Sequence, residues 1–142
     1  MQLRKLRRDD WTWIQTWFQD ECLNRALGPL DQEWLNYVLT QHDGIQLIAE
    51  IDGEPVGLIG CQWDRQGKQH GITDFAIAPA KRQRGLGGRV LAGVVDWAGH
   101  PSTASWVAFV DPQNLGAQKF FSVLGWQYDG IEDGMHRFEL IR

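Results

Sequence analysis

Three arginines and three glycines fall within the eight residues Arg82–Arg89, RQRGLGGR, of a chain whose formal net charge is -4. A strand ending near Ala78 and a helix opening near Gly85 would bring free backbone N–H groups and the positive end of a helix dipole to this loop. That is the chemistry of an anion site, and glycine lets a phosphate approach the backbone closely. Two familiar phosphate loops are excluded by spacing. No Gly, four residues, Gly-Lys-Ser/Thr string occurs, and a dinucleotide fingerprint counted from Gly85 and Gly87 would need a third glycine where Val90 stands. The alternative is a tight, solvated turn whose arginines face only water. Elsewhere, His42, His70, His100 and His136 are scattered without a metal-ligand spacing, so no metal is expected. Ser102, Ser105 and Ser122 lie in no nucleophile elbow.

The elements that would carry this loop can be read from periodicity. Gln2 to Leu6 suits an opening strand. Asp9 or Asp10 can cap a helix in which Trp13 with Trp17, and Ile14 with Phe18, are four residues apart, and Asp31 to Thr40 reads as a second helix. Leu47–Ile51 and Pro55–Trp63 are apolar runs joined by Asp52-Gly53, a turn between antiparallel strands. Ile72–Ala78 is a third run, ended by Pro79. Leu86 to Ala98 follows a helical period, Ser105–Val110 reads as a strand, and Asn114 suits the cap of a helix to Leu124. Trp126–Tyr128 and His136–Ile141 complete the strands. The order βααβββαβαββ predicts an α/β fold with a mixed, mostly antiparallel central sheet and flanking helices, as one domain over 1–142.

Composition narrows the function. With 142 residues and 43% hydrophobic content the chain can bury a real core. Its 18 acidic against 14 basic residues argue against a nucleic-acid partner and lean towards a cationic substrate. No apolar stretch is long enough for a signal peptide or a membrane span, so a soluble cytoplasmic protein is expected, with no membrane partner. Cys22 and Cys61 are read as two reduced, structural thiols.

The segment DFAIAPAKRQRGLGGRVL, residues 74–91, resembles the central motif of the GNAT superfamily of N-acetyltransferases, which use acetyl-coenzyme A. The match is Ile77-Ala78-Pro79 followed by Arg82-x-x-Gly85-x-Gly87. EIDGEPVGLIG (50–60) is similar to the family's second and third strands, and NLGAQKFFSVLGW (114–126) to its late helix. The resemblance implies a GNAT fold and direct transfer of an acetyl group to a primary amine, on a small molecule or a peptide. It further implies that backbone amides of Arg82, Gln83, Arg84, Gly85, Leu86, Gly87 and Gly88 hold the coenzyme A pyrophosphate. Phe75, Ala76 and Ile77 would contact the pantetheine arm through their backbone, and Asn114 would add a side-chain hydrogen bond to it.

In several members an acidic residue on the strand before the loop serves as the base. Asp74 occupies that place, and strand alternation puts it on the face of Ala76; Glu50 is a weaker candidate. Many members carry a tyrosine seven residues after the asparagine, which protonates the departing thiolate. Here that position is Phe121, a departure that motivates a rival reading as a non-catalytic acyl-CoA-binding or regulatory module. Trp17 and Trp34 are candidates for an aromatic acceptor wall. Members of the family often dimerise, so a homodimer is an expectation of the resemblance.

Overall fold

The computed structural model describes residues 1–27, 30–82 and 85–142. Seven strands and five helices follow in the order β1 (Gln2–Lys5), α1 (Trp11–Trp17), α2 (Glu21–Leu27), α3 (Gln32–Thr40), β2 (Gly44–Ile51), β3 (Glu54–Gln62), β4 (Gln69–Ile77), α4 (Leu86–Val95), β5 (Ser105–Val110), α5 (Leu115–Val123), β6 (Gln127–Glu132) and β7 (Met135–Ile141). The strands form one sheet in the order β1-β2-β3-β4-β5-β7-β6. Every neighbouring pair is antiparallel except β4 and β5, which run parallel.

Local sequence explains most of these elements. Asp52 and Gly53 both take positive φ, 51° and 79°, which is the two-residue turn that matches the twist of an antiparallel hairpin. Asn114 caps α5 by accepting a hydrogen bond from Ala117 N at 3.0 Å. The order read from periodicity passes from the first helix directly to Asp31–Thr40; the structure corrects it with a further helix, α2, between them. Asp20 starts it by accepting from Leu23 N at 3.1 Å, a capping signal that its weak apolar period conceals. Asp10 does not cap α1 with its side chain. Its buried carboxylate instead accepts from Arg7 N at 2.7 Å and Trp13 Nε1 at 2.9 Å, and takes both guanidinium nitrogens of Arg4. An almost fully buried charge needs that full set of donors.

The sheet is buried on both faces. Leu47, Ile59, Trp106 and Phe138 pack under α4 and α5 with Val90, Leu91 and Phe121, while Ile48, Leu58 and Ala76 pack on the other face with Ile14, Leu23 and Leu35. Strands covered twice read as continuous apolar runs. Cys61 is buried, but Cys22 is exposed, so only one of the two free thiols is a core residue. Among the described residues no helix is long and apolar enough to cross a membrane.

A cluster of rings closes the end of the sheet away from the α4 loop. His70, fully buried, accepts from Asp64 N at 3.1 Å through Nδ1 and donates through Nε2 to Pro101 O at 2.8 Å. His100 accepts from Trp63 Nε1 at 3.0 Å and donates through Nε2 to Val94 O at 2.7 Å. Burial lowers the His100 pKa, opposed by its bond to Val94, so its neutral form is the one folded into the cluster. Because the unfolded chain then binds the proton more readily, this stability is complete above the unfolded histidine value of about 6.5 and is lost as pH falls through the lower folded value. Thermal melts from pH 8 to 5 should show that decline, and it should flatten in His100→Asn.

Candidate functional site

The site forms where β4 and β5 part. Their pairing runs from Gln69 and Ser105 only to Ile72 and Ala108, although β4 continues to Ile77 and β5 to Val110. The cause lies in β4. Between the pairs Gly60–Asp74 and Cys61–Ile72 the register shifts, leaving Thr73 as an extra residue. Such a bulge bends its strand and re-aims side chains. Its imprint is visible in packing, because Ile72, Phe75 and Ile77 all reach the α4–α5 core, whereas strict alternation would split Ile72 from Phe75. Thr73 and Asp74 consequently share the opposite face, with Ala76.

Past the bulge, β4 turns every second peptide towards the gap. Ala78 N donates to Val56 O on β3 at 2.9 Å, so alternation directs the backbone groups of Asp74 and Ala76 to β3. Those of Phe75 and Ile77 face the side that β5 has left. The gap therefore offers an unpaired strand edge of the kind that an extended, amide-bearing chain can pair with. Ala76 contributes a buried methyl to the core beneath α1–α3.

At the end of β4 the chain passes through a single turn at Pro79–Lys81 into α4. Gln83 and Arg84 lie outside the described residues. Gly85 is the residue before α4 and has φ 68°, and among the described residues no side chain caps the helix. The N–H groups of the first turn, Leu86, Gly87 and Gly88, are thus without intrahelical partners, and an anion is their natural complement. The two helix glycines also have a packing role. A Cβ on Gly87 would lie 2.9 Å from Phe120 Cε1, and one on Gly88 3.0 Å from Leu124 Cδ2, so both let α4 approach α5. Arg82 is held by Asp20, at 2.7 Å, tying the loop to the start of α2. Arg89 is exposed.

Asp74 is the site's ionisable group. Burial raises its pKa, and a hydrogen bond from the Thr73 hydroxyl partly opposes that. Among the described residues no basic side chain pairs with it. Glu50 is occupied elsewhere, 3.1 Å from Arg4 Nε. Over the same face lies an aromatic layer: Trp13 and Trp17 pack with centroids 4.6 Å apart, Trp11 and Trp34 at 6.2 Å, all half-buried against the α1–α3 core.

The late helix supplies no acid to this region. Phe121 faces inward, 6% exposed, 5.0 Å from Trp126 and 5.7 Å from Phe138 between centroids. The helix residue that meets β4 is Phe120, 5.4 Å from Phe75. Tyr37 is 60% exposed on α3, and Tyr128 on β6 is hydrogen-bonded to His136 at 2.9 Å. Phe121→Tyr should therefore fail to raise turnover, and burying the extra hydroxyl without a partner should cost about 1–3 kcal/mol. Denaturant melts and steady-state rates of the variant check both. Asn114 is exposed, with its Oδ1 engaged by the cap.

Sequence reasoning passed over Gln46, buried in the middle of β2. A carboxamide between Ile45 and Leu47, in a strand covered on both faces, was the available signal. Among the described residues no group of three or more His, Cys, Asp or Glu side chains could hold a metal ion.

A model of the acetyltransferase (GNAT) family matches residues 2–126. No curated protein matches the chain. Solved structures with the same fold include an aminoglycoside acetyltransferase, AAC(6')-Ib, in complex with coenzyme A and kanamycin, at 20% identity, TM-score 0.82, covering 99% of this chain and 94% of that one. A spermidine N-acetyltransferase chimera from Vibrio cholerae and hSSAT is similar at 15% identity and TM-score 0.80, over 99% and 96% of the two chains. The GNAT domain of S. lividans PAT is similar at 19% and 0.81, over 99% and 89%.

Proposed function

Because the chain belongs to the acetyltransferase (GNAT) family, we propose that its 142 residues act as a single N-acetyltransferase domain that transfers the acetyl group of acetyl-CoA directly to a primary amine, with Asp74 as the base. The observation that carries this reading is the gap between β4 and β5, which has a helix N-terminus at one end and, on its flank, a partly buried carboxyl with no basic partner among the described residues. The resident groups suit the donor. Phe75 and Ile77 offer backbone N–H and C=O groups to the amides of the pantetheine arm. The first turn of α4, opened by Gly85 in its left-handed conformation, offers N–H groups to the pyrophosphate. Arg82 serves through its backbone, since its guanidinium is already paired with Asp20, and Asn114 reaches the arm with its amide N–H.

The chemistry follows from charge. An amine is protonated at neutral pH and must lose that proton before its lone pair can attack the thioester carbonyl. Asp74, its pKa raised by burial, is a stronger base than an ordinary carboxylate. The new C–N bond forms as the C–S bond breaks. The acylated nitrogen releases its second proton to solvent, and coenzyme A leaves as a thiolate that takes a proton from solvent, because Phe120 and Phe121 occupy the late helix. Peptide N–H groups of β4 that face the gap stabilise the developing oxyanion.

The acceptor enters from the α1–α3 side, where Trp17 and Trp34 wall the approach. Relatives of the same fold act on aminoglycosides and spermidine by name, and both are polyamines, in keeping with an acidic chain and an unpaired Asp74. Mass spectrometry of a panel of small-molecule and N-terminal peptide amines incubated with acetyl-CoA tests the reading. A newly acetylated amine is expected, and its absence across the panel would favour the rival, a non-catalytic acyl-CoA-binding module, which the missing acid on α5 supports. Two free cysteines fit a cytoplasmic setting. In a homodimer the β6 edge, with exposed Tyr128 and Ile131, would be available for contact.

A further inference from the structure

Gln46 is 2% exposed, and its Nε2 has no hydrogen-bond partner among the described residues. Leucine or methionine would fill the same volume without stranding a donor, so folding alone does not account for a carboxamide here. Its position relates it to the site. Gln46 lies directly opposite Gly60 on β3, and Gly60 lies directly opposite Asp74 on β4. The three form one row across three strands, on the face beneath α1–α3.

The row converges on a hollow. Around the point where a Cβ on Gly60 would lie, Thr73 Oγ1 stands at 2.5 Å, Asp74 Oδ2 at 2.7 Å and Gln46 Oε1 at 2.8 Å. Only glycine at position 60 leaves room for these groups to meet, and only the bulge brings Thr73 onto the same side as Asp74. One carboxyl oxygen thus turns inward to the carboxamide and the hydroxyl, leaving the other for the acceptor.

We infer that Gln46 is the positioning residue of Asp74: its carboxamide accepts a hydrogen bond from the carboxylic acid through Oε1 and, rotated half a turn, donates one to the carboxylate through Nε2. Each orientation suits one protonation state. Oε1 on the side of the hollow, with Nε2 lacking a partner among the described residues, is the orientation that suits the acid. When Asp74 ionises, two oxygens face each other, and rotation replaces that repulsion with an N–H···O bond. No bond other than O–H or N–H···O is made or broken, and the proton on Asp74 is the one taken from the acceptor amine.

The surroundings leave Gln46 and Thr73 as the groups that act on this carboxyl. Cys61 on β3 is the titratable neighbour, and burial pushes its thiol up and keeps it neutral. Of the charged groups on the elements packed against this face, Arg4 is paired with Asp10 and Glu50 and Arg82 with Asp20, while Glu21 and Arg25 on α2 and Glu33 on α3 are exposed to solvent.

This inference rests on Asp74 as the base, but it can be tested apart from turnover. The titration of the Asp74 side-chain carboxyl, followed by carbon-13 NMR without donor or acceptor, should be compared in the native protein, Gln46→Leu and Gln46→Met. A hydrogen bond to a charged acceptor is stronger than one to a neutral acid, so losing Gln46 penalises the carboxylate more. The midpoint should rise by about one unit in both variants, with no loss of thermal stability below it, where Nε2 has no partner, and a loss above it, where Nε2 would hold the carboxylate. Gln46→Glu should raise it as well, because two carboxyls would share the hollow. An unshifted midpoint in folded Gln46→Leu or Gln46→Met would overturn the inference even if Asp74→Asn is inactive. A shifted midpoint with an active Asp74→Asn would keep the pair and remove the base reading.

Discussion

Asp74→Asn should lower kcat/KM for the acceptor by about 10²–10⁴-fold, the usual contribution of a positioned general base, while acetyl-CoA binds as before. The amide keeps the volume and the polarity of the site but cannot take a proton. In the native enzyme the acid limb of the pH profile of kcat/KM should lie above the ordinary carboxylate range, because burial raises the Asp74 pKa, and activity should fall as pH drops through that value. The variant should have no such limb. Stability should move the other way. A carboxyl whose folded pKa exceeds its unfolded one stabilises the fold below the unfolded value, and that stabilisation is lost as pH rises through the folded value. Above the folded value the native protein carries the cost of a desolvated carboxylate with no basic partner among the described residues, so there Asp74→Asn should melt higher than the native protein while being far less active. A residue kept for folding would show the opposite pair of effects.

Gly85→Val should weaken acetyl-CoA binding by at least tenfold, about 1.4 kcal/mol or more, as measured by calorimetry. Gly85 sits at φ 68° with nothing within 4 Å of its missing Cβ, so space is not the obstacle. The obstacle is the backbone, since a β-branched residue does not take the left-handed conformation without strain. Relief of that strain moves the residue that starts α4, and with it the N–H groups aimed at the pyrophosphate. Gly87→Ala provides the contrast. Its φ is helical, but its Cβ would meet Phe120 at 2.9 Å, so it should damage α4–α5 packing and lower thermal stability. If Gly85→Val bound acetyl-CoA with native affinity, the helix N-terminus would not be the phosphate cradle.

These two glycines show how far sequence could reach. Gly85, Gly87 and Gly88 read alike in RQRGLGGR, as places for a close approach by phosphate. The fold separates them into one backbone requirement and two helix contacts, because contact with Phe120 and Leu124 depends on where α5 docks. The Asp52-Gly53 turn, the Asn114 cap and the bounds of β5 were legible, since each rests on local chemistry. The bulge at Thr73 was not. It exists only as a register between β3 and β4, and a single strand read alone gives alternation throughout. Asp74 was found by its place in a motif, yet its partner Gln46 lies 28 residues earlier in the chain and is reached only across Gly60. The pairing of the Arg82 guanidinium with Asp20 was not legible, because the two lie 62 residues apart in sequence.

Whether the gap between β4 and β5 holds acetyl-CoA for transfer rather than for binding alone is decided by calorimetry with acetyl-CoA, run beside a free-thiol assay across a broad panel of primary amines. Saturable binding is expected together with thiol release that depends on the amine, exceeds hydrolysis and disappears in Asp74→Asn. Binding of acetyl-CoA with no amine-dependent thiol release from any member of the panel would contradict transfer.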